Sequence, residues 1–320
     1  MTFTPPANDH SPMGDAALPV ACFGAIHYDI IAHADRTILR ETSTPARIDM
    51  KPGGVATNVA RSLARLGTPV TLTGMVGNDS AGASIQQILK MEGVAADLSV
   101  RDGHTTGQYL ALHDPDGSLA AACISDTVLT SAPLHLFEEA ASRADSEGWW
   151  LLDANLPEAA LSLLARTAPS GRLAAEAVSI AKAPRLRAIL SRISLLFLNR
   201  AEAATLSSLN AEASLDAHSE KLLAAGVQTV IITDGAGPLH VRSPELSLFL
   251  PTPDANVVDV TGAGDALVAG TLSALGRGLP LEAAASAGQQ AARIALETTG
   301  AAPANLTWTA VSRNLHGTAG

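Results

Sequence analysis

From Pro19 onward, short apolar runs alternate with alanine-rich stretches of helical pattern, and this alternation limits the possible folds more than any other feature. Residues 20–24 read as a buried strand, 57–66 as a helix closed by Gly67, 70–76 as a strand, and 80–92 as a helix closed by Gly93. Further strands are expected over 149–152, ending at Asp153, over 195–198, ending at Asn199, and over 227–233, ending at Asp234 and Gly235. Helices are expected over 201–207, 215–225 and 263–275. Apolar strands without polar alternation, separated by helices, predict an α/β fold: a doubly wound, mostly parallel sheet with helices on both faces, an α/β/α sandwich. Polar residues collect just after the strands, where such sheets bind ligands.

Two segments, about 27–52 and 100–125, lack helix signals. Within the second, residues 107–113, the turn Asp114-Pro115-Asp116-Gly117 and residues 118–124 read as a hairpin. Together the two segments predict a small β-sheet lid over the binding crevice, able to exclude water. Residues 1–18 are rich in Pro, Ala, Asp and Ser and carry neither a basic nor an apolar block, so a disordered leader is expected there, not a signal peptide. The folded domain is expected over 19–320.

Composition excludes several function classes. The formal charge of −10 and the absence of a basic cluster argue against nucleic-acid binding. Aromatics at 3% leave no stacking platform for single strands. No run of eighteen apolar residues indicates a membrane span. The two cysteines, Cys22 and Cys123, lie far apart in no metal-like spacing, which favours a reducing cytoplasm.

The segment Asp259-Val260-Thr261-Gly262-Ala263-Gly264-Asp265 opens an apolar helical run. A glycine-rich turn entering a helix presents free backbone N–H groups, and the helix dipole adds partial positive charge, so Gly262, Ala263 and Gly264 form a candidate anion cradle. Asp265 stands beside it in the first helical turn. Amides that hold a phosphoryl group next to a carboxylate that accepts a proton suit phosphoryl transfer. Taken alone, the segment also reads as a tight turn followed by a capping aspartate. No P-loop pattern exists elsewhere to bind phosphate.

A second glycine turn, Lys51-Pro52-Gly53-Gly54-Val55-Ala56-Thr57-Asn58-Val59-Ala60, enters the first helix. Gly53 and Gly54 permit close backbone approach to a ligand, and Asn58 can donate to and accept from a polyol. An early Gly-Gly-x-x-x-Asn-x-Ala and a late Asp-x-Thr-Gly-Ala-Gly-Asp, in this order, resemble the two signatures of the PfkB (ribokinase-like) carbohydrate and nucleoside kinase family. The resemblance covers about residues 20–300.

The resemblance implies a ribokinase-like fold and a role for each matching position. Asp265 is then the catalytic base, and Gly262, Ala263 and Gly264 supply the anion hole. Asp29, Gly53, Gly54 and Asn58 bind the sugar. Asn199 and Glu202 match an Asn-x-x-Glu tied to the magnesium and phosphate region, with Glu202 acting on magnesium through water. Thr233, Gly235 and Gly237, together with Thr261, Gly262 and Gly264, lie on the ATP side, although the 233–237 turn is one residue short. Asp259 and the loop at Thr299 and Gly300 fall where many members bind a monovalent cation such as potassium. Members often form a homodimer through the lid sheet.

Within the family, Thr42-Ser43-Thr44-Pro45-Ala46-Arg47-Ile48, Asp153-Ala154-Asn155-Leu156-Pro157 and 178–186 look like the pseudouridine kinase branch. Two departures stand out: Glu176-Ala177 replaces an expected Asp-Pro, and Thr57 replaces an expected Arg or Gly. The expected activity is ATP-dependent phosphorylation of a ribonucleoside 5′-hydroxyl, pseudouridine foremost. Another sugar or nucleoside kinase of the family is the alternative. A non-catalytic ligand sensor on the same fold is the third; it would be marked by loss of Asp265 or of the 262–264 turn, and both are present. Asp153, Asn155 and Lys182 are further candidates, and His27, Tyr28 and His33 flank the lid.

Overall fold

A computed structural model describes residues 17–313 and 315. Of the expected leader, residues 1–16 lie outside the described residues. Ala17 is buried and the Leu18 amide donates to the Gly276 carbonyl at 2.9 Å, so these two belong to the folded body.

Thirteen strands follow along the chain: β1 (Val20–Phe23), β2 (His27–Ala34), β3 (Ala46–Gly53), β4 (Val70–Gly77), β5 (Ala95–Arg101), β6 (Gly107–His113), β7 (Leu119–Ser125), β8 (Trp149–Asp153), β9 (Leu173–Glu176), β10 (Leu195–Asn199), β11 (Val230–Thr233), β12 (Leu239–Arg242) and β13 (Ser247–Leu250). Nine form one sheet in the order β13-β12-β11-β10-β9-β8-β1-β4-β5. Its pairs are parallel from β11 to β5, while β12 and β13 join antiparallel at one edge. β12 and β13 were not anticipated from the sequence.

Side-chain alternation divides the core into two layers. Phe23, Trp150 and Leu152 enter one layer; Cys22, Leu72 and Leu151 enter the other. Each strand is apolar on both sides because helices cover both faces. Leu134–Arg143, Glu158–Thr167 and Arg200–Ser207 pack on the first layer, and Val55–Arg65, Ser80–Met91, Ala263–Gly276 and Leu281–Leu296 on the second. Each buried aliphatic or aromatic side chain contributes roughly 1.5–3 kcal/mol.

The remaining four strands form a separate sheet in the order β3-β2-β6-β7. This is the expected lid, with the predicted β6–β7 hairpin turning at Asp114 to Ser118. Its second segment starts later than expected, because Val100 and Arg101 end the edge strand β5 of the large sheet. Among the described residues, no helix is long and apolar enough to cross a membrane.

Candidate active site

The chain leaves β1 to build the lid, β4 and β5 on one side, then returns to place β8 on the other side. The C-terminal ends of β1 and β8 therefore flank a topological switch point, where doubly wound sheets open a crevice. Asp153 ends β8 there and is fully buried. Its Oδ2 accepts the amides of Ala25 and Ala56, each at 3.0 Å, and its Oδ1 accepts the Asn155 amide at 3.0 Å. One carboxylate thus ties the turn after β1 to the first turn of the helix Val55–Arg65. A β-carbon on Gly24 would lie 2.2 Å from the same carboxylate, so only glycine fits beside it. Burial pushes the Asp153 carboxyl up, against the pull of these hydrogen bonds.

The turn at Gly53 and Gly54 is equally constrained. Gly54 has φ +96°, and a β-carbon there would meet the Ala25 carbonyl oxygen at 2.3 Å. A β-carbon on Gly53 would overlap the Asp29 carboxylate, which lies against it from β2. The Thr57 hydroxyl donates to the Ala25 carbonyl at 3.0 Å, which accounts for the small β-branched residue before Asn58.

Asn58, one turn into that helix, is buried and donates from Nδ2 to Asp265 Oδ2 at 2.9 Å. Its Oδ1 has no partner among the described residues. A buried amide oxygen without a donor is costly, and the hydroxyl of a bound ligand can satisfy it. Asp265 is half-buried in the first turn of Ala263–Gly276. Burial raises its carboxyl to about 7; the Asn58 hydrogen bond opposes this, and the charges of Asp153 and Asp29 add to it. Asp29 rises to about 6, chiefly by burial, with Arg61 opposing. Two carboxyls near neutral pH in one crevice are poised for proton transfer and hydroxyl binding.

Gly262 caps the helix with φ +76°, held against Ala301, whose Cα would lie 2.4 Å from a β-carbon on Gly262. The first helical bond runs from the Ala266 amide to the Gly262 carbonyl at 2.8 Å. The amides of Gly264 and Asp265 precede it and have no acceptor within the helix. A β-carbon on Gly264 would meet nothing within 4 Å. Beyond it lies a cavity of about 620 Å³ that Thr233, Gly235, Gly237, Ala263, Gly264 and Gln289 help to line. That size suits a drug- or nucleotide-sized ligand.

Three residues expected on the nucleotide side, Thr261, Gly262 and Asn199, do not line this cavity. The Thr261 amide donates to Asp259 Oδ1 at 2.8 Å, and Thr261 is absent from the cavity lining, as is Gly262. Asn199 is also absent from the lining. It forms a capping box instead: its Oδ1 accepts the Glu202 amide at 2.9 Å, and Glu202 Oε2 accepts the Asn199 amide at 2.8 Å. Glu202 is buried, and burial raises its carboxyl.

Glu176, at the end of β9, is half-buried and its carboxyl is pushed well above the usual range by burial, then by the charges of Asp265, Glu202 and Asp153. It accepts the Val178 amide at 2.7 Å. Val178 has φ +67°, a left-handed conformation that costs a β-branched residue roughly 1–3 kcal/mol and so marks a position fixed by its surroundings.

A further polar group lies at the junction of lid and core. The Lys182 ammonium donates to Asn155 Oδ1, and Arg185 donates to the Asn155 carbonyl at 2.8 Å. His27 is buried with Nε2 unpartnered among the described residues. Burial, then the Lys182 charge, lowers it to about 4, with Asp126 opposing. His27 is thus a neutral ring at physiological pH, with a free ring nitrogen at the lid.

A family model described as pfkB family carbohydrate kinase matches residues 18–308. The chain belongs to the PfkB family of carbohydrate kinases. This PfkB kinase is 30% identical over 272 residues to the pseudouridine kinase of Escherichia coli, covering 82% of this chain and 85% of the relative. It matches the structure of a carbohydrate kinase from Agrobacterium tumefaciens with a TM-score of 0.80 at 29% identity, covering 93% of this chain and 97% of that one. It shares the fold of an Arabidopsis thaliana ribokinase solved with ribose and ATP, with a TM-score of 0.78 at 21% identity over 94% of this chain and 99% of that one. The enzyme is a phosphotransferase acting on a hydroxyl group.

Proposed function

We propose that this kinase transfers the terminal phosphoryl group of ATP to the 5′-hydroxyl of a ribonucleoside, pseudouridine foremost. The observation that carries the reading is the hydrogen bond between Asn58 and Asp265 beside the open amides of Gly264 and Asp265. In one place it joins a polyol-binding amide, a carboxylate raised to about 7 and an anion cradle. The hydroxyl proton passes to Asp265, and the oxygen bonds to the terminal phosphorus. The bond from that phosphorus to the bridging oxygen breaks, leaving its electron pair on ADP. Asp29 and Asn58 hold the sugar hydroxyls. The helix amides stabilise the charge on the moving group. The cavity beyond Gly264 receives the nucleotide, a role supported by the ATP that the Arabidopsis ribokinase binds.

Among the described residues, no three His, Cys, Asp or Glu side chains converge to coordinate a metal directly. The Glu176 carboxyl nevertheless feels the negative charges of Asp265, Glu202 and Asp153, which fits a cation held on phosphate oxygens and water. Glu202 and Glu176 would hold magnesium in that manner. Bound magnesium supplies neutralisation of phosphate charge.

Pseudouridine is favoured by the E. coli relative and by Asn155, Lys182 and His27, which offer donors and acceptors to a base beneath the lid. Another sugar or nucleoside is the second reading; Glu176, in place of the shorter carboxylate, reshapes the site end of β9. We also assign a homodimer through the lid, because Ile48, Met50 and Leu110 are exposed on the face opposite Asp29. Sedimentation at micromolar concentration should show twice the chain mass, and Met50→Asp should halve it. ADP release measured with pseudouridine, uridine, inosine, cytidine and ribose tests the activity. Pseudouridine should give the highest kcat/KM. Robust turnover of a free sugar with none of pseudouridine would overturn the substrate assignment.

A further inference from the structure

Lys51 faces Asp29 directly across the antiparallel pair of β3 and β2, so both side chains leave the same face of the lid sheet. Asp29 reaches the sugar site. Lys51 reaches a different place: the loop after the helix Leu281–Leu296. A β-carbon on Gly300 would lie 3.6 Å from the Lys51 ammonium. The Gly300 amide donates to Asp259 Oδ2 at 3.0 Å, and the next residue, Ala301, is the backbone against which Gly262 packs. A series of close approaches therefore runs from the lid strand through residues 300–301 to the turn that opens the anion cradle.

Charge follows the same route. The Lys51 ammonium and the Asp259 carboxylate both border the Gly300 backbone, the first beside its α-carbon and the second accepting its amide. The family resemblance places a monovalent cation at this loop. The residues present do not suit one. Each Asp259 oxygen already accepts one backbone amide, and the exposed Lys51 ammonium stands beside the loop, where its charge would repel a second cation.

We propose that Lys51 is a positioning residue whose ammonium, carried on the lid, replaces a monovalent cation at the Asp259–Gly300 loop and so fixes the anion turn at Gly262 when the lid is seated. This rests on the reading of residues 262–265 as the phosphate-holding turn. Its consequence is that lid and cradle are set together: the strand that delivers Asp29 to the substrate also delivers the charge that holds the loop behind the cradle. Turnover then needs no potassium.

The full-length chain tests this through Lys51→Met and Lys51→Arg. Lys51 is exposed, so methionine removes the charge without leaving a buried cavity. ADP release with pseudouridine is measured in potassium chloride and in choline chloride at equal ionic strength. The unsubstituted enzyme should run at rates within about twofold in the two salts. Lys51→Met should lose about tenfold or more in kcat in choline chloride, recover several-fold in potassium chloride, and show a smaller change in KM for the nucleoside. Lys51→Arg should stay near the unsubstituted rate. Hydrogen–deuterium exchange over residues 257–265, with ADP and magnesium present, gives a readout independent of turnover. It should quicken in Lys51→Met and not in Lys51→Arg. Stimulation of the unsubstituted enzyme by about fivefold or more in potassium, or a Lys51→Met variant unchanged in exchange, would overturn the proposal. If no nucleoside or sugar is turned over, the proposed function fails while the exchange measurement still decides the role of Lys51.

Discussion

Asn58 and Asp265 stand 207 residues apart in the chain, yet the Asn58 amide donates to the Asp265 carboxylate at 2.9 Å. The bond joins the two glycine-rich turns at one point. It also sets the direction of several measurable effects.

Asp265→Asn should lower kcat by about 10²–10⁴-fold with little change in nucleoside affinity. It should also stabilise the protein at alkaline pH. The folded state raises this carboxyl to about 7, so its contribution to stability is complete below the ordinary carboxylate range and is lost as pH rises through 7. Asparagine carries no charge there. The variant should melt about 2 °C or more above the parent at pH 8, and the gain should shrink towards pH 4. A lower melting temperature at pH 8 would contradict the assignment of a strained, ionised carboxylate.

The pH profile of kcat/KM should fall on the acid side with an apparent value about 7, where Asp265 takes up its proton, and steepen below about 6 as Asp29 follows. Asn58→Ala removes the hydrogen bond that favours the ionised form. The acid limb should therefore move to higher pH in that variant. A shift to lower pH would show that Asn58 does not tune the base.

Gly262→Ala and Gly264→Ala should separate folding from binding. At Gly262 the positive φ and the nearby Ala301 backbone make alanine destabilising by more than about 1 kcal/mol. At Gly264 a methyl meets no protein atom but projects where the phosphate must approach. The second variant should melt no lower than the parent and show KM for ATP raised about tenfold. Equal loss of thermal stability in both would refute the distinction.

Lys182→Met should raise KM for pseudouridine about tenfold while changing kcat less, because Lys182 belongs to the Asn155 group and not to the Asn58–Asp265 pair. A kcat effect as large as that of Asp265→Asn would move Lys182 into the reacting centre.

Features whose cause is local were legible in the sequence. The turn at 262–264 and the helix it opens are specified by neighbouring residues, as are the lid hairpin and the apolar strands β1, β4 and β8. Features that depend on distant partners were not. Asp153 reads as a strand-end aspartate; beyond the local Asn155 amide, its partners at 25 and 56 adjoin it only after the sheet forms. The capping box of Asn199 and Glu202 is the exception, a local feature: they stand three residues apart, and their mutual hydrogen bonds serve the helix start. Lys51 appeared only as the residue before a glycine turn. Its position opposite Asp29 follows from the β2–β3 register, which no local signal gives. The short antiparallel strands β12 and β13 carry four residues each, too few for a periodicity to declare itself.

The crevice draws one wall from the helix Val55–Arg65 and the other from Ala263–Gly276, near opposite ends of the polypeptide. A nascent chain still tethered to the ribosome can assemble the helix Val55–Arg65 and most of the sheet, yet under the proposed mechanism it has no proton acceptor until residue 265 has emerged and docked. On that mechanism, a product truncated before residue 265 is silent even when its first half is correctly built.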